Sequence, residues 1–207
     1  MHEIFEHTTV VPVLTIERLE DALPLAGALV RGGLKVLEVT FRTEAAAPAI
    51  AAISRELPDA VVGAGTLLRP NDITQALEAG AKFLVSPGLL PDLVATGLAA
   101  TDVPYLPGVA TASEVMTARS LGCSLLKFFP AAAIGGPAAL AAFAPVFRGI
   151  AFCPTGGVTE ESAPGYLRLP NVPMVGGAWM APAGAIAERD WVRITGLAKR
   201  AASLKRG

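Results

Sequence analysis

Three kinds of residue are scarce in this chain of 207 residues: cysteine, histidine and charge. Only Cys123 and Cys153 carry thiols, and neither lies in a CxxC or zinc-ligand spacing. A disulfide framework is therefore excluded, and a reduced, cytoplasmic protein is the simplest reading. His2 and His7 both lie outside the strand-like runs, and no His/Asp/Glu spacing resembles a ligand set, so neither a metal nor another cofactor is expected. Charged residues make up 17% and the net charge is −1, with no basic block. Nucleic acid and anionic membrane surfaces are thus excluded as main partners. The chain is 52% hydrophobic, yet glycine, proline and charges cut the apolar residues into runs too short to span a bilayer. Residues 1–7 hold Glu3 and Glu6 and show no basic-then-apolar leader pattern. With so few charges to cover it, part of the surface is expected to be buried in an oligomer.

The chain consists of short apolar runs alternating with helix-like stretches. Strand-like runs occupy 10–15, 36–41, 61–66, 83–88, 105–109, 125–130, 150–154 and 174–179. Between them, helical patterns cover 17–31, 44–57, 70–79, a short piece from Pro91, 112–121, 137–143 and 191–204. A short N-terminal helix precedes the first run. Runs apolar on both faces suit parallel strands covered on both sides. Eight such runs alternating with helical patterns predict an α/β fold of the (β/α)8 TIM-barrel type. An open doubly wound sheet would place glycines in the first turn, where Thr15-Ile16-Glu17 stands instead. No linker interrupts the pattern, so residues 1–207 read as one domain.

The sixth run, Leu125-Leu126-Lys127-Phe128-Phe129-Pro130, holds one lysine in an otherwise apolar strand. Alternation puts Leu125, Lys127 and Phe129 on one face. A buried, unpaired ammonium is costly, and a lysine so placed tends to give up its proton. The neutral amine is a nucleophile that forms Schiff bases with carbonyl substrates. In a barrel the site lies at the C-terminal ends of the strands. There the second run places Glu38, Thr40 and Arg42 on one face, and the third ends at Thr66. A glutamate near Lys127 either neutralises the interior or moves protons in catalysis. Arg42 offers a planar fork for a carboxylate. The pairs Gly156-Gly157 and Gly176-Gly177 follow the seventh run and lie in the eighth, where barrels commonly bind phosphate through backbone amides; as glycines they also serve as simple turns.

Together these segments resemble one family. LEVTFRT (37–43), VGAGT (62–66), VSPG (85–88), LKFFPA (126–131) and FCPTGGV (152–158) are similar to the 2-dehydro-3-deoxy-phosphogluconate (KDPG) aldolases, many of which also cleave 4-hydroxy-2-oxoglutarate (KHG). The resemblance runs from about Val10 to the last helix. It implies a metal-independent class I aldolase on a (β/α)8 barrel, a homotrimer that releases pyruvate and glyceraldehyde 3-phosphate from a 2-oxo-acid sugar phosphate in the Entner–Doudoroff route. It implies that Lys127 is the Schiff-base lysine and Glu38 the acid/base. Arg42 and Thr66 would hold the pyruvate carboxylate, and Pro87, Phe129 and Thr155 would shape the pocket. Gly156, Gly157, Gly177 and Ala178 would form the phosphate end. Two positions depart from the family pattern: Ala132 stands where a glutamate is usual, and Ala178 where a serine is common. The second change removes a hydroxyl and leaves phosphate to backbone amides. FFPAAA is similar to the related galactonate-derived aldolases, whereas FCPTGG favours the gluconate type. A phosphosugar isomerase or epimerase using Glu38 as base, and a non-catalytic barrel that binds a phosphorylated metabolite, stay open as rival readings.

Overall fold

A computed structural model describes residues 3–100 and 102–207; His2 lies outside them. Nine strands run in chain order: β1 (Val10–Leu14), β2 (Val36–Thr40), β3 (Val61–Gly65), β4 (Leu84–Val85), β5 (Tyr105–Leu106), β6 (Gly108–Val109), β7 (Leu125–Phe128), β8 (Ala151–Pro154) and β9 (Val175–Gly177). The helices are α1 (Ala22–Arg31), α2 (Ala46–Glu56), α3 (Pro70–Glu78), α4 (Pro91–Ala100), α5 (Ala112–Ser120), α6 (Gly136–Phe143), α7 (Ala163–Leu167), α8 (Ala183–Ala187) and α9 (Trp191–Ala202). Every ladder is parallel. None of these helices is long and apolar enough to cross a membrane.

The ladders form two sheets, a curled six-stranded one in the order β5-β4-β3-β2-β1-β9 and a three-stranded one, β6-β7-β8. The expected single ring of eight strands is thus interrupted at two seams. At the first, Pro107 splits the fifth run into β5 and β6, and the chain changes partners. The Leu106 carbonyl accepts from Ser86 N–H on the β4 side, while the Pro107 carbonyl accepts from Lys127 N–H on β7. At the second seam the Phe152 N–H of β8 donates to the Asn171 carbonyl, ahead of β9, so β8 and β9 touch without a ladder.

Alternation sorts the strand side chains into two apolar clusters. Val10, Leu37, Val39, Leu126 and Phe128 face outward into the core shared with the helices. Val11, Val36, Phe83, Val85, Leu106, Cys153 and Met174 form a second, inner cluster, against which Leu125 packs. A 3-10 turn at Glu3–Phe5, the short N-terminal helix of the sequence reading, drops Phe5 into that inner cluster. Its ring meets Phe83 edge to face, with centroids 5.3 Å apart. Arg206 fastens this turn from the other end of the chain, donating to the carbonyls of Pro173, Phe5 and Thr8.

Three helical details differ from the pattern reading. The helix expected over 17–31 begins at Ala22, after a 3-10 turn at Leu19–Asp21. α7 and α8 were not expected. Each is five residues long and carries Pro164-Gly165 or Gly184, too short and too broken for a 3.6-residue period to show.

Candidate active site

Lys127 and Glu38 reach each other across the interior from β7 and β2. Nζ lies 3.1 Å from Oε1, and the two residues are only 3% and 4% exposed. The outward neighbours Leu126 and Phe128 lock β7 into the main core, which forces Lys127 inward. The glutamate fits only because β3 is glycine where it passes: a Cβ on Gly65 would overlap Glu38 Oε1. The amine also sits 5.3 Å from the Phe129 ring centroid, a cation–π contact when it is charged. Proton transfer from Nζ to the adjoining carboxylate would leave a nucleophilic amine beside an acid able to return the proton.

Above this pair the strand ends carry a polar network. Arg42 Nη1 donates to Thr15 Oγ1 at 3.4 Å, Thr15 and Thr40 hydroxyls are 3.2 Å apart, and Thr40 Oγ1 donates to the Leu14 carbonyl at 2.8 Å. Thr40 therefore braces β2 against β1, and Arg42, without a carboxylate partner among the described residues, is held over the opening by a hydroxyl.

One cavity of about 390 Å³ gathers most of the expected residues. Lys127, Arg42, Phe129, Thr155, Gly156, Gly157, Gly177 and Ala178 all line it. Glu38 reaches it through Lys127. Thr66 and Pro87 are not among the lining residues. Thr66 follows β3 with φ +61, an unusual backbone for a β-branched residue and a mark of a constrained position. Pro87 follows β4, where its carbonyl packs so closely on Gly108 that a Cβ there would overlap it. On the far side the glycines are also structural necessities. Gly156 and Gly157 have φ +95 and +76, Gly176 leaves room for Thr155 Oγ1, and Gly177 for the Trp179 ring. The unusual Ala132 lies against Gly157, and its N–H donates to the Gly156 carbonyl.

Cys153 lies next to Lys127 in the β7–β8 register, on the inner side. Burial pushes its thiol up to about 12, with the Glu38 charge adding to the rise and Lys127 and Thr155 opposing it. It is a neutral thiol, and packs as one. No cluster of three or more His, Cys, Asp or Glu suited to a metal occurs among the described residues.

A family model described as KDPG and KHG aldolase matches residues 1–197. This chain belongs to the KDPG and KHG aldolase family. It is 53% identical over 197 residues to the 2-dehydro-3-deoxy-phosphogluconate aldolase of Zymomonas mobilis, covering 95% of this chain and 92% of that one. It is 48% identical over 192 residues to the KHG/KDPG aldolase of Escherichia coli, covering 93% and 90%. A crystal structure of the KDPG aldolase of Legionella pneumophila, with pyruvate captured as a covalent carbinolamine intermediate, superposes with a TM-score of 0.93 at 44% identity over 97% of both chains.

Within this member of the KDPG and KHG aldolase family, sequence reasoning missed Thr15, Trp179, Pro182 and Ile186, all of which line the cavity. Thr15 was findable by the rule that exposed Arg42, since it is the polar residue at the C-terminal end of its run. Trp179 was hidden by its place in an apolar run. Its indole N–H is buried without an acceptor, and its ring closes over Gly177. Pro182 and Ile186 come with α8, which had no period to reveal it.

Proposed function

We propose that this chain is a class I aldolase that cleaves 2-dehydro-3-deoxy-6-phosphogluconate to pyruvate and D-glyceraldehyde 3-phosphate, and 4-hydroxy-2-oxoglutarate to pyruvate and glyoxylate. The observation that carries this reading is the buried Lys127–Glu38 pair, 3.1 Å apart, reaching a cavity that also holds a cation and glycine-rich turns. Lys127 Nζ adds to the substrate C2 carbonyl and, with loss of water, gives an iminium. That cation accepts the electrons of the C3–C4 bond as the C4 hydroxyl loses its proton and the aldehyde departs. Protonation of the enamine at C3 and hydrolysis release pyruvate and restore the amine. Glu38 is the proton carrier for these steps. Arg42 is the carboxylate clamp, with Thr66 and Pro87 shaping that end from β3 and β4. Phe129 and Thr155 flank the amine, and Gly156, Gly157, Gly177 and Ala178 take the phosphate through backbone amides.

The same reading makes the reaction metal-independent and the fold a (β/α)8 barrel, in which β5 and β6 form one bent stave. The inner cluster, fed by strands of both sheets, supports that closure. Three further points are expected from the family resemblance. The protein acts in the cytoplasm, where Cys123 and Cys153 remain free thiols. It serves the Entner–Doudoroff route. It assembles as a homotrimer, which would cover exposed apolar side chains such as Leu68 and Leu90.

Borohydride reduction in the presence of pyruvate tests the central claim. A stable adduct on Lys127, absent in Lys127→Ala together with a loss of cleavage by several orders of magnitude, is the expected result. An adduct on another lysine, or none, would remove the Schiff-base reading and leave the isomerase or binding-barrel alternatives.

A further inference from the structure

We infer that Arg189 and Asp21 are positioning residues that hold the outer wall of the cavity in place and thereby set affinity for the phosphorylated aldehyde half of the substrate. The inference rests on the aldolase reading above. Ala183 and Ile186 of α8, with Pro182 before it, line the cavity on the side of Gly177 and Ala178. Behind α8 lies a second cavity of about 380 Å³, lined by Ile16, Leu25, Ala183, Ile186 and Ala187. A five-residue helix is therefore a thin partition between two spaces. Ala185 is buried in the main core, but behind Ala183 and Ile186 packing leaves a space.

A cluster of ion pairs stands at the edge of the second space, which Arg18 and Asp21 also line. Arg189, just past α8, pairs with Glu20 and places Nε 3.2 Å from Asp21 Oδ1. Arg18 Nε donates to Asp21 Oδ2 at 2.7 Å. Asp21 is only 4% exposed, and its Oδ1 accepts no hydrogen bond, so Arg189 is the charge that compensates that oxygen. A half-compensated buried carboxylate is unfavourable, which makes the attachment of Arg189 specific.

The backbone of Arg189 points the same way. The Asp190 N–H donates to Ala185 O and the Arg189 N–H to Ile186 O, closing α8 in the manner of a Schellman cap. Arg189 takes the left-handed position of that cap at φ +56, where glycine is the usual residue. An arginine there gives up backbone ease, and its side chain supplies a compensation, the tie to the β1–α1 connection. That connection also carries Thr15, the hydroxyl to which Arg42 donates.

Arg189→Gly is the decisive variant, because glycine suits the cap and removes only the tie. Loss of positioning in a cavity wall is expected to raise KM for the phosphorylated six-carbon substrate about 10-fold. Turnover should stay within about two-fold, since the reacting groups are untouched. KM for 4-hydroxy-2-oxoglutarate, whose glyoxylate half is shorter and has no phosphate, should change little. Pyruvate trapping on Lys127 should be unaffected, and Arg189→Lys should restore most of the lost affinity. An unchanged KM for the phosphorylated substrate, an equal rise for both substrates, or failure of Arg189→Lys to rescue would each overturn the inference while trapping stays intact. A wild-type protein that does not trap pyruvate would overturn the aldolase reading and this inference with it.

Discussion

The lower and upper halves of the interior are built from the same strands and do opposite things. Along β2 the inward positions read Val36 then Glu38, and along β7 Leu125 then Lys127. The lower members pack around Phe5, Phe83 and Met174 into an apolar floor. The upper members face one another as an ion pair beneath an open cavity. A shift of two residues along a strand therefore separates stability from chemistry. The floor also serves the site: it keeps water from approaching the Lys127–Glu38 pair from below, which strengthens their interaction.

The division can be tested from both sides. The largest effect is expected in the upper half, where Glu38→Gln keeps the shape but removes the proton carrier. Cleavage should fall by about 10²–10⁴-fold. Exchange of pyruvate methyl protons with solvent, followed by NMR, should slow in parallel; exchange at the wild-type rate would assign the relay elsewhere.

In the lower half Phe5→Ala should do the reverse. Emptying a fully buried aromatic site costs about 3–5 kcal/mol of stability, read from urea midpoints, while kcat at a temperature where the variant stays folded should be near wild type. A large kcat loss would mean that the floor is part of the catalytic apparatus.

The sharpest comparison lies within β3. Adding a methyl at Gly65 displaces the Glu38 carboxylate, and a misplacement of about 1 Å can lower the rate about 10²-fold. The same methyl at Gly63 meets the Phe83 ring at 2.5 Å. Overpacking of this kind costs about 1–3 kcal/mol of stability, with the rate preserved. Similar kinetic losses in Gly63→Ala and Gly65→Ala would erase the boundary drawn here.

The smallest effect sits at the boundary itself. Burial raises the Cys153 thiol from its ordinary value of 9.0 to about 12. Between those pH values the unfolded chain has lost this proton and the folded chain has kept it. The contribution is thus complete below pH 9 and lost as pH rises through 12. At pH 10 the loss is about 1 kcal/mol. The stability difference between wild type and Cys153→Ala should be smaller at pH 10 than at pH 7; an equal difference at both would show that the thiol is not desolvated.

Much of this was legible in the sequence because it depends on alternation. Lys127, Glu38 and Arg42 announce themselves as polar residues in apolar runs, and the eight runs imply parallel strands. What stayed hidden depends on contacts between distant segments. Nothing local to Pro107 says that the chain changes partners there, and nothing around Phe152 says that its N–H is taken by Asn171. Gly63 and Gly65 sit unremarked inside the third run, whereas their role is to vacate space for Phe83 and Glu38. The tie from Arg189 to Asp21 joins residues from opposite ends of the chain, and α8, which it anchors, is too short to carry a pattern. Thr66 and Pro87, expected at the pocket, end their strands nearby without lining it.

The ladder between β1 and β9 has a kinetic meaning. Every other ladder joins strands that follow one another along the chain, so the sheets can zip up in sequence. β1 and β9 instead pair Val10 with Val175. Closing so long a loop carries a larger entropic penalty than any step between neighbours, although the penalty grows only logarithmically with length. Since β9 leads directly into Gly177, Ala178 and α8, a growing chain would own its lysine and glutamate well before it had a cavity to hold a substrate. Catalytic competence would then arrive in one step, with the docking of the last strand.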